Sequence, residues 1–264
     1  MLFKLKRPPA AKLDFIIAGA QKAGTTALSD LLESHPKIRM PHKDELHRTI
    51  QPARHFFDDE ERFAQPEIDY AQLHRGCTRK DKSTLLGSCT PIYIYWKPAM
   101  ERIWNYNNKI KLLVLLRNPA DRAFSHWNMQ RDRGLENLEF LAAVEEEKKR
   151  ARKAEPLQLR KFSYVDRGFY AQQMELVFRY FPREQVHVIK FENFRCNARQ
   201  TLDAVCHFLG VEPLKKLRNV ETGSTPYARK MRPHERQYLV DLYRSDIDCL
   251  EKLLGWDCSD WKQA

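Results

Sequence analysis

Residues 13–36, LDFIIAGAQKAGTTALSDLLESHP, constrain the fold more than any other stretch of the chain. Leu13–Ala18 is an apolar run of strand length, too short for a buried helix. Gly19-Ala20-Gln21-Lys22-Ala23-Gly24 follows, and Thr25–Glu33 then sets Leu28, Leu31 and Leu32 on one helical face. His35-Pro36 closes that helix, because a residue before proline is driven out of the α region. A strand, a glycine loop and a helix in this order cradle an anion: the loop N–H groups and the positive end of the helix converge on it.

The spacing sharpens this. Gly19 and Gly24 stand where the glycines of a GxxxxGK(S/T) loop stand, and Thr26 takes the final hydroxyl position. Thr25, however, occupies the place of that loop's lysine, and Lys22 lies three residues upstream. A nucleotide kinase or nucleoside triphosphatase needs the missing lysine on its β- and γ-phosphates, which counts against that alternative. Lys22 would instead meet the group attached to a 5′-phosphate from the loop side. AGAQKAGTTAL resembles the 5′-phosphosulfate loop of the sulfotransferases that use 3′-phosphoadenosine 5′-phosphosulfate (PAPS). On that resemblance Gln21, Lys22, Ala23, Gly24, Thr25, Thr26 and Ala27 bind the donor, and Lys22 also acts in catalysis.

A second segment supports the first. Lys111–Leu116 (KLLVLL) reads as a buried strand, and Arg117-Asn118-Pro119 ends it ahead of a helix over Ala120–Met129. A guanidinium at a strand end can clasp a phosphate bidentately, and a serine eight residues on can donate from the facing helix. LLRNPADRAFSHW is similar to the segment with which sulfotransferases hold the 3′-phosphate of PAPS, which implies that role for Arg117 and Ser125. Arg229 and Lys230 match, by position alone, a basic loop that the family places over the same phosphate.

The acceptor side is harder to read. Lys43-Asp44-Glu45-Leu46-His47 resembles the Lys-Glu-x-His segment of carbohydrate-type sulfotransferases, which implies Glu45 as the general base with His47 beside it. The family runs directly on into Phe-Phe, whereas here Phe56-Phe57 follows only after RTIQPARH. His55 and His126 are the next candidates. Leu85–Pro91 reads as a strand running into a turn and keeps the Thr-Pro of the family's Glu-Lys-Thr-Pro, but Ser88 and Cys89 replace the charged pair.

Further on, helices are expected over Leu138–Lys153, from Tyr170 to Pro182 and over Ala198–Leu209 before Gly210, and finally over His234–Leu254, with a buried strand over Val186–Phe191. The block Glu145–Glu147 followed by Lys148–Arg150 predicts a solvated helix face, and residues 131–167 suit an acceptor-side insertion or lid. Alternating strands and helices predict an α/β fold: one domain over 13–264, a P-loop-like parallel sheet flanked by helices, after a basic segment over 1–12.

Lys and Arg outnumber Asp and Glu by 46 to 35, for a formal net charge of +11. That charge calls for an anionic partner and leaves a non-enzymatic polyanion binder as a further alternative. Scattered basic residues, with no zinc-finger spacing and no aromatic RNA signature, argue against nucleic acid. No CxxC pair links the six cysteines, which read as buried free thiols of a reducing compartment. Neither a signal-peptide core nor a run of about 18 apolar residues is found, so the expectation is a cytoplasmic protein with no transmembrane segment. The resemblance implies PAPS as donor, 3′,5′-ADP (PAP) as product, no metal, and a glycan or small-molecule acceptor whose hydroxyl or amine is sulfated.

Overall fold

The computed structural model describes residues 12–40, 55–74, 79, 81–215, 227 and 229–264. Its five strands, all parallel, are β1 (Phe15–Gly19), β2 (Ile38–Arg39), β3 (Leu85–Cys89), β4 (Lys111–Leu116) and β5 (Val186–Lys190). Their order is β2-β3-β1-β4-β5, so the chain crosses over β1 between β3 and β4. Ligands of open α/β sheets sit at such a switch point, beyond the carboxyl ends of the strands. β1 is buried along its whole length, as its uninterrupted apolar sequence requires of a central parallel strand. β5 departs from expectation: it pairs with β4 alone among the described strands, and His187 and Val188 are only half-buried.

The helices flank this sheet. α1 (Thr25–Glu33) packs on β1, β2 and β3, and α8 (Ala198–Leu209) lies beside it after the short α7 (Phe191–Cys196). α3 (Lys97–Tyr106), α4 (Pro119–Asp132), α6 (Tyr170–Tyr180) and α9 (Pro233–Leu254) form a second packed group, with α5 (Phe140–Ala154) against α4. α2 (Glu60–Phe63) is a single turn. The sequence pattern assigns no element to α3, although Pro98 in its first turn is a helix-start signal.

Several ends are fixed by side chains. The side-chain oxygen Oδ1 of Asn118 accepts from the N–H groups of Ala120 and Asp121 at the start of α4. Gly210 ends α8 in the left-handed conformation, with φ of 82°. Asp246 of α9 caps α6 from outside, accepting from the N–H groups of Tyr170 and Ala171 at 2.7 and 3.2 Å. The charged face expected on α5 is not wholly solvated: Glu147 is buried and accepts from the N–H groups of Val165 and Asp166. A turn with unpaired N–H groups needs an acceptor, and the third glutamate of the block supplies it.

The five described cysteines are free thiols; Cys206 and Cys258 are buried as expected, but Cys196 and Cys249 are exposed. Among the described residues no helix is long and apolar enough to cross a membrane.

Candidate functional site

The loop after β1 is built to present N–H groups. Lys22 has φ of 73° and Gly24 φ of 86°, so the chain turns twice through the left-handed region before α1 begins. Gly24 is required there on two counts: the conformation is strained for a side chain, and a Cβ would lie 2.8 Å from the Phe191 ring. The first intrahelical bond of α1 runs from Leu28 N–H to Gly24 O, so Thr25, Thr26 and Ala27 keep N–H groups with no helical acceptor. They face a cavity of about 800 Å³, whose wall includes Gln21, Lys22, Gly24, Thr25, Thr26 and Ala27. Ala23 is buried beneath the loop and is not part of that wall.

The second motif closes the same cavity. Arg117, just past the end of β4, lies on the wall, 5.0 Å over the Phe191 ring, and donates to the Lys22 carbonyl at 3.3 Å. Ser125, on the second turn of α4, is 3% exposed and reaches the wall as well. One turn on, Asn128, Met129, Asp132 and Arg133 continue it. Burial and then the charges of Arg117 and Arg133 lower the pKa of the Lys22 ammonium. Such a cationic, half-desolvated site favours a multiply charged anion. Tyr227 adds an aromatic ring, edge-on to Phe124 at 5.7 Å.

Neither Arg229 nor Lys230 belongs to the wall. Both terminal nitrogens of Arg229 donate to Glu235 at 2.7 Å, and its guanidinium lies over Phe124 and Trp127. That commitment anchors the start of α9.

Glu45 and His47 lie outside the described residues. The far side of the cavity is lined by His55, whose Nδ1 lies 2.8 Å from Asp58 Oδ2. Asp58 is buried, and Arg160 donates to the same oxygen at 2.5 Å. The segment is pinned by Tyr93, whose hydroxyl oxygen accepts from Phe56 and Phe57 N–H at 3.1 and 3.3 Å. His126, by contrast, is buried, is absent from the wall, and has its pKa driven well down by burial and by Arg167. Cys89 at the end of β3 and Thr90 just after it also line the wall, Cys89 donating weakly to Thr25 O.

The His-Phe-Phe-Asp sequence carried a readable signal for His55, since a histidine and an acid three residues apart meet across a tight turn. Asn128, Asp132 and Arg133 follow Ser125 at one- and two-turn spacing, also a readable signal. Arg167 carried no local signal at all, because its partner Gln21 is remote in sequence.

Comparison with known proteins gives this geometry a context. A family model described as "Sulfotransferase domain" matches residues 12–234. Among curated proteins, heparan sulfate glucosamine 3-O-sulfotransferase 5 of Mus musculus is 28% identical over 206 residues, covering 75% of this chain and 53% of that one. The human bifunctional heparan sulfate N-deacetylase/N-sulfotransferase 2 is 24% identical over 208 residues, covering 75% and 22%. The chain thus spans about half the length of the first of these relatives, and less of the second. A solved sulfotransferase from Alicyclobacillus acidocaldarius superimposes with a TM-score of 0.78 at 29% identity, covering 96% of this chain and all of that one.

Proposed function

The chain belongs to the sulfotransferase domain family, and from that premise we propose that it moves a sulfuryl group from PAPS to a hydroxyl or amine of a glycan or small-molecule acceptor. The observation that carries this is convergence on one cavity of the open N-terminus of α1, Lys22, Arg117 and Ser125. The residues fit a nucleotide bearing phosphates at both ends. Three free N–H groups and the hydroxyls of Thr25 and Thr26 suit a 5′-phosphate. Arg117 and Ser125 suit a 3′-phosphate.

Lys22 would neutralise the negative charge that grows on the bridging oxygen as its bond to sulfur breaks, the kind of electrostatic stabilisation worth about 3 kcal/mol in a dry site. Glu45 is the base by resemblance, taking the proton of the attacking hydroxyl or amine. A second reading makes His55 the base. Its Nδ1 is held by Asp58, which orients the ring, and it stands on the cavity wall. Names of the matched relatives favour glucosamine-containing glycans as acceptors, through oxygen in one and nitrogen in the other.

Incubation with PAPS and a panel of glucosamine glycans, amines and phenols tests the proposal, with mass spectrometry to show which compound gains a sulfuryl group. Binding of 3′,5′-ADP with no transfer to any compound would leave a nucleotide-binding protein. Turnover of ATP with metal would favour the kinase or triphosphatase alternative, and salt-sensitive polyanion binding unaffected by 3′,5′-ADP would favour the binder.

A further inference from the structure

We propose that Arg167 is a positioning residue for sulfuryl transfer: it holds the carbonyl oxygen of the Gln21 side chain and so turns the Gln21 NH₂ into the cavity, where it donates to the sulfuryl oxygens. This rests on the sulfotransferase reading above and assigns a role to a side chain outside the cavity wall.

Arg167 is 3% exposed, and its nitrogens all point to oxygen. Nε donates to Ser163 Oγ at 2.7 Å, one terminal nitrogen to the carbonyl of Arg160, and the other to Gln21 Oε1. Its Cζ lies 4.7 Å from the centre of the Tyr95 ring, and the Tyr95 hydroxyl is itself fixed, donating to Asp166 at 2.7 Å. A guanidinium has donors only, so the amide group it meets must be the oxygen. The amide nitrogen of Gln21 is thereby turned away from Arg167, and Gln21 lines the cavity next to Lys22.

Burying a guanidinium is expensive, and the three oxygens this one meets, on Ser163, Gln21 and the Arg160 main chain, include no carboxylate. Burial accordingly lowers its pKa to about 10, which leaves it charged at neutral pH. A buried positive charge on the amide oxygen polarises the amide and strengthens its N–H groups as donors. During transfer the sulfur–oxygen bond to the phosphate breaks while the bond from sulfur to the acceptor forms. The three outer sulfuryl oxygens gain or lose no proton, so a neutral amide donor serves them without acid–base chemistry. The same segment reaches the other wall, because Arg160 takes Arg167 on its carbonyl and donates its guanidinium to Asp58, behind His55.

The distinguishing measurement is calorimetric affinity for PAPS against affinity for 3′,5′-ADP, which lacks the sulfuryl group. Gln21→Glu keeps a partner for Arg167 and sets a carboxylate near the sulfuryl oxygens. It should melt no lower than wild type, weaken PAPS by about tenfold or more, and change 3′,5′-ADP by less than about threefold. Arg167→Met and Gln21→Met should each weaken PAPS by about fivefold, and the double variant no more than either alone, because Arg167 acts through Gln21. Arg167→Lys should return part of the PAPS preference. Equal losses for the two nucleotides, additive effects in the double variant, or an unaltered ratio in Gln21→Glu would each overturn the proposal. Should Arg167→Met not fold, Gln21→Glu still decides. A wild-type protein that binds neither nucleotide would instead refute the sulfotransferase reading itself.

Discussion

Arg117 donates to the main-chain carbonyl of Lys22 across 3.3 Å, so the residue that ends β4 and the turn that follows β1 are held as one unit. Two cations are brought to one cavity by this contact, and the pKa of Lys22 falls partly because Arg117 is close. An anion with two separated phosphates would relieve that repulsion, which is why the proposed function gives the site a doubly phosphorylated nucleotide.

Arg117→Ala should therefore weaken 3′,5′-ADP at least tenfold, as expected for loss of a charge-assisted hydrogen bond of about 1.5–3 kcal/mol. AMP, which has no 3′-phosphate, should bind weakly to both proteins. Calorimetry with the two nucleotides checks this, and equal 3′,5′-ADP affinity in both proteins would remove Arg117 from the site.

Lys22→Ala should separate binding from chemistry. The N–H groups of Thr25–Ala27 remain, so 3′,5′-ADP should still raise the melting temperature, by less than in wild type. Turnover should fall by about a hundredfold or more, because the leaving oxygen has lost its nearest cation. Near-normal turnover would mean that the ammonium does not reach the breaking bond.

The elements read best from the sequence were those set by local periodicity. Lys111–Leu116 and Ala198–Leu209 match their expected bounds, and Thr25–Glu33 is α1. The turn between β1 and α1 was legible because glycine spacing controls the direction of its main-chain N–H groups, and Gly24 stands in the left-handed region there. What escaped was settled by side-chain contacts that local periodicity does not encode. Glu147 is drawn inward by two N–H groups on the 165–166 turn, and Arg229 is claimed by Glu235 and two aromatic rings, neither of which composition or spacing encodes. Arg167 belongs with these.

Glu147 predicts a pH dependence of stability. Burial raises its pKa to about 7 despite the two N–H donors that favour the carboxylate. The folded state therefore holds a proton that the unfolded chain releases, and the stability it contributes is lost as pH rises toward and past 7. His126 acts in the opposite sense, its lowered pKa removing stability as pH falls below the ordinary histidine range. A difference measurement separates them: the melting temperature of wild type minus that of Glu147→Gln should decrease steadily from about pH 5 to pH 8. A flat difference would mean that Glu147 titrates as an exposed carboxylate.

The identity of the base is decided by two substitutions read together. Glu45 matches the family's carboxylate, and a carboxylate at neutral pH accepts a proton without first losing one. His55 has the observed setting, with Nδ1 on Asp58, Asp58 held by Arg160, and the ring on the cavity wall. If Glu45 is the base, Glu45→Gln should lower kcat by roughly 10²–10⁴-fold with 3′,5′-ADP affinity intact, and His55→Gln should act mainly on acceptor KM. If His55 is the base the ranking reverses, and Asp58→Asn should share most of the kcat loss because it leaves the ring without its orienting carboxylate. His47→Ala, at a position two residues from Glu45, should cost less than Glu45→Gln in the first case and little in the second. Since none of these groups is called on to hold the nucleotide, a variant that loses 3′,5′-ADP binding as well would have disturbed the loop, and both assignments of the base would fail with it.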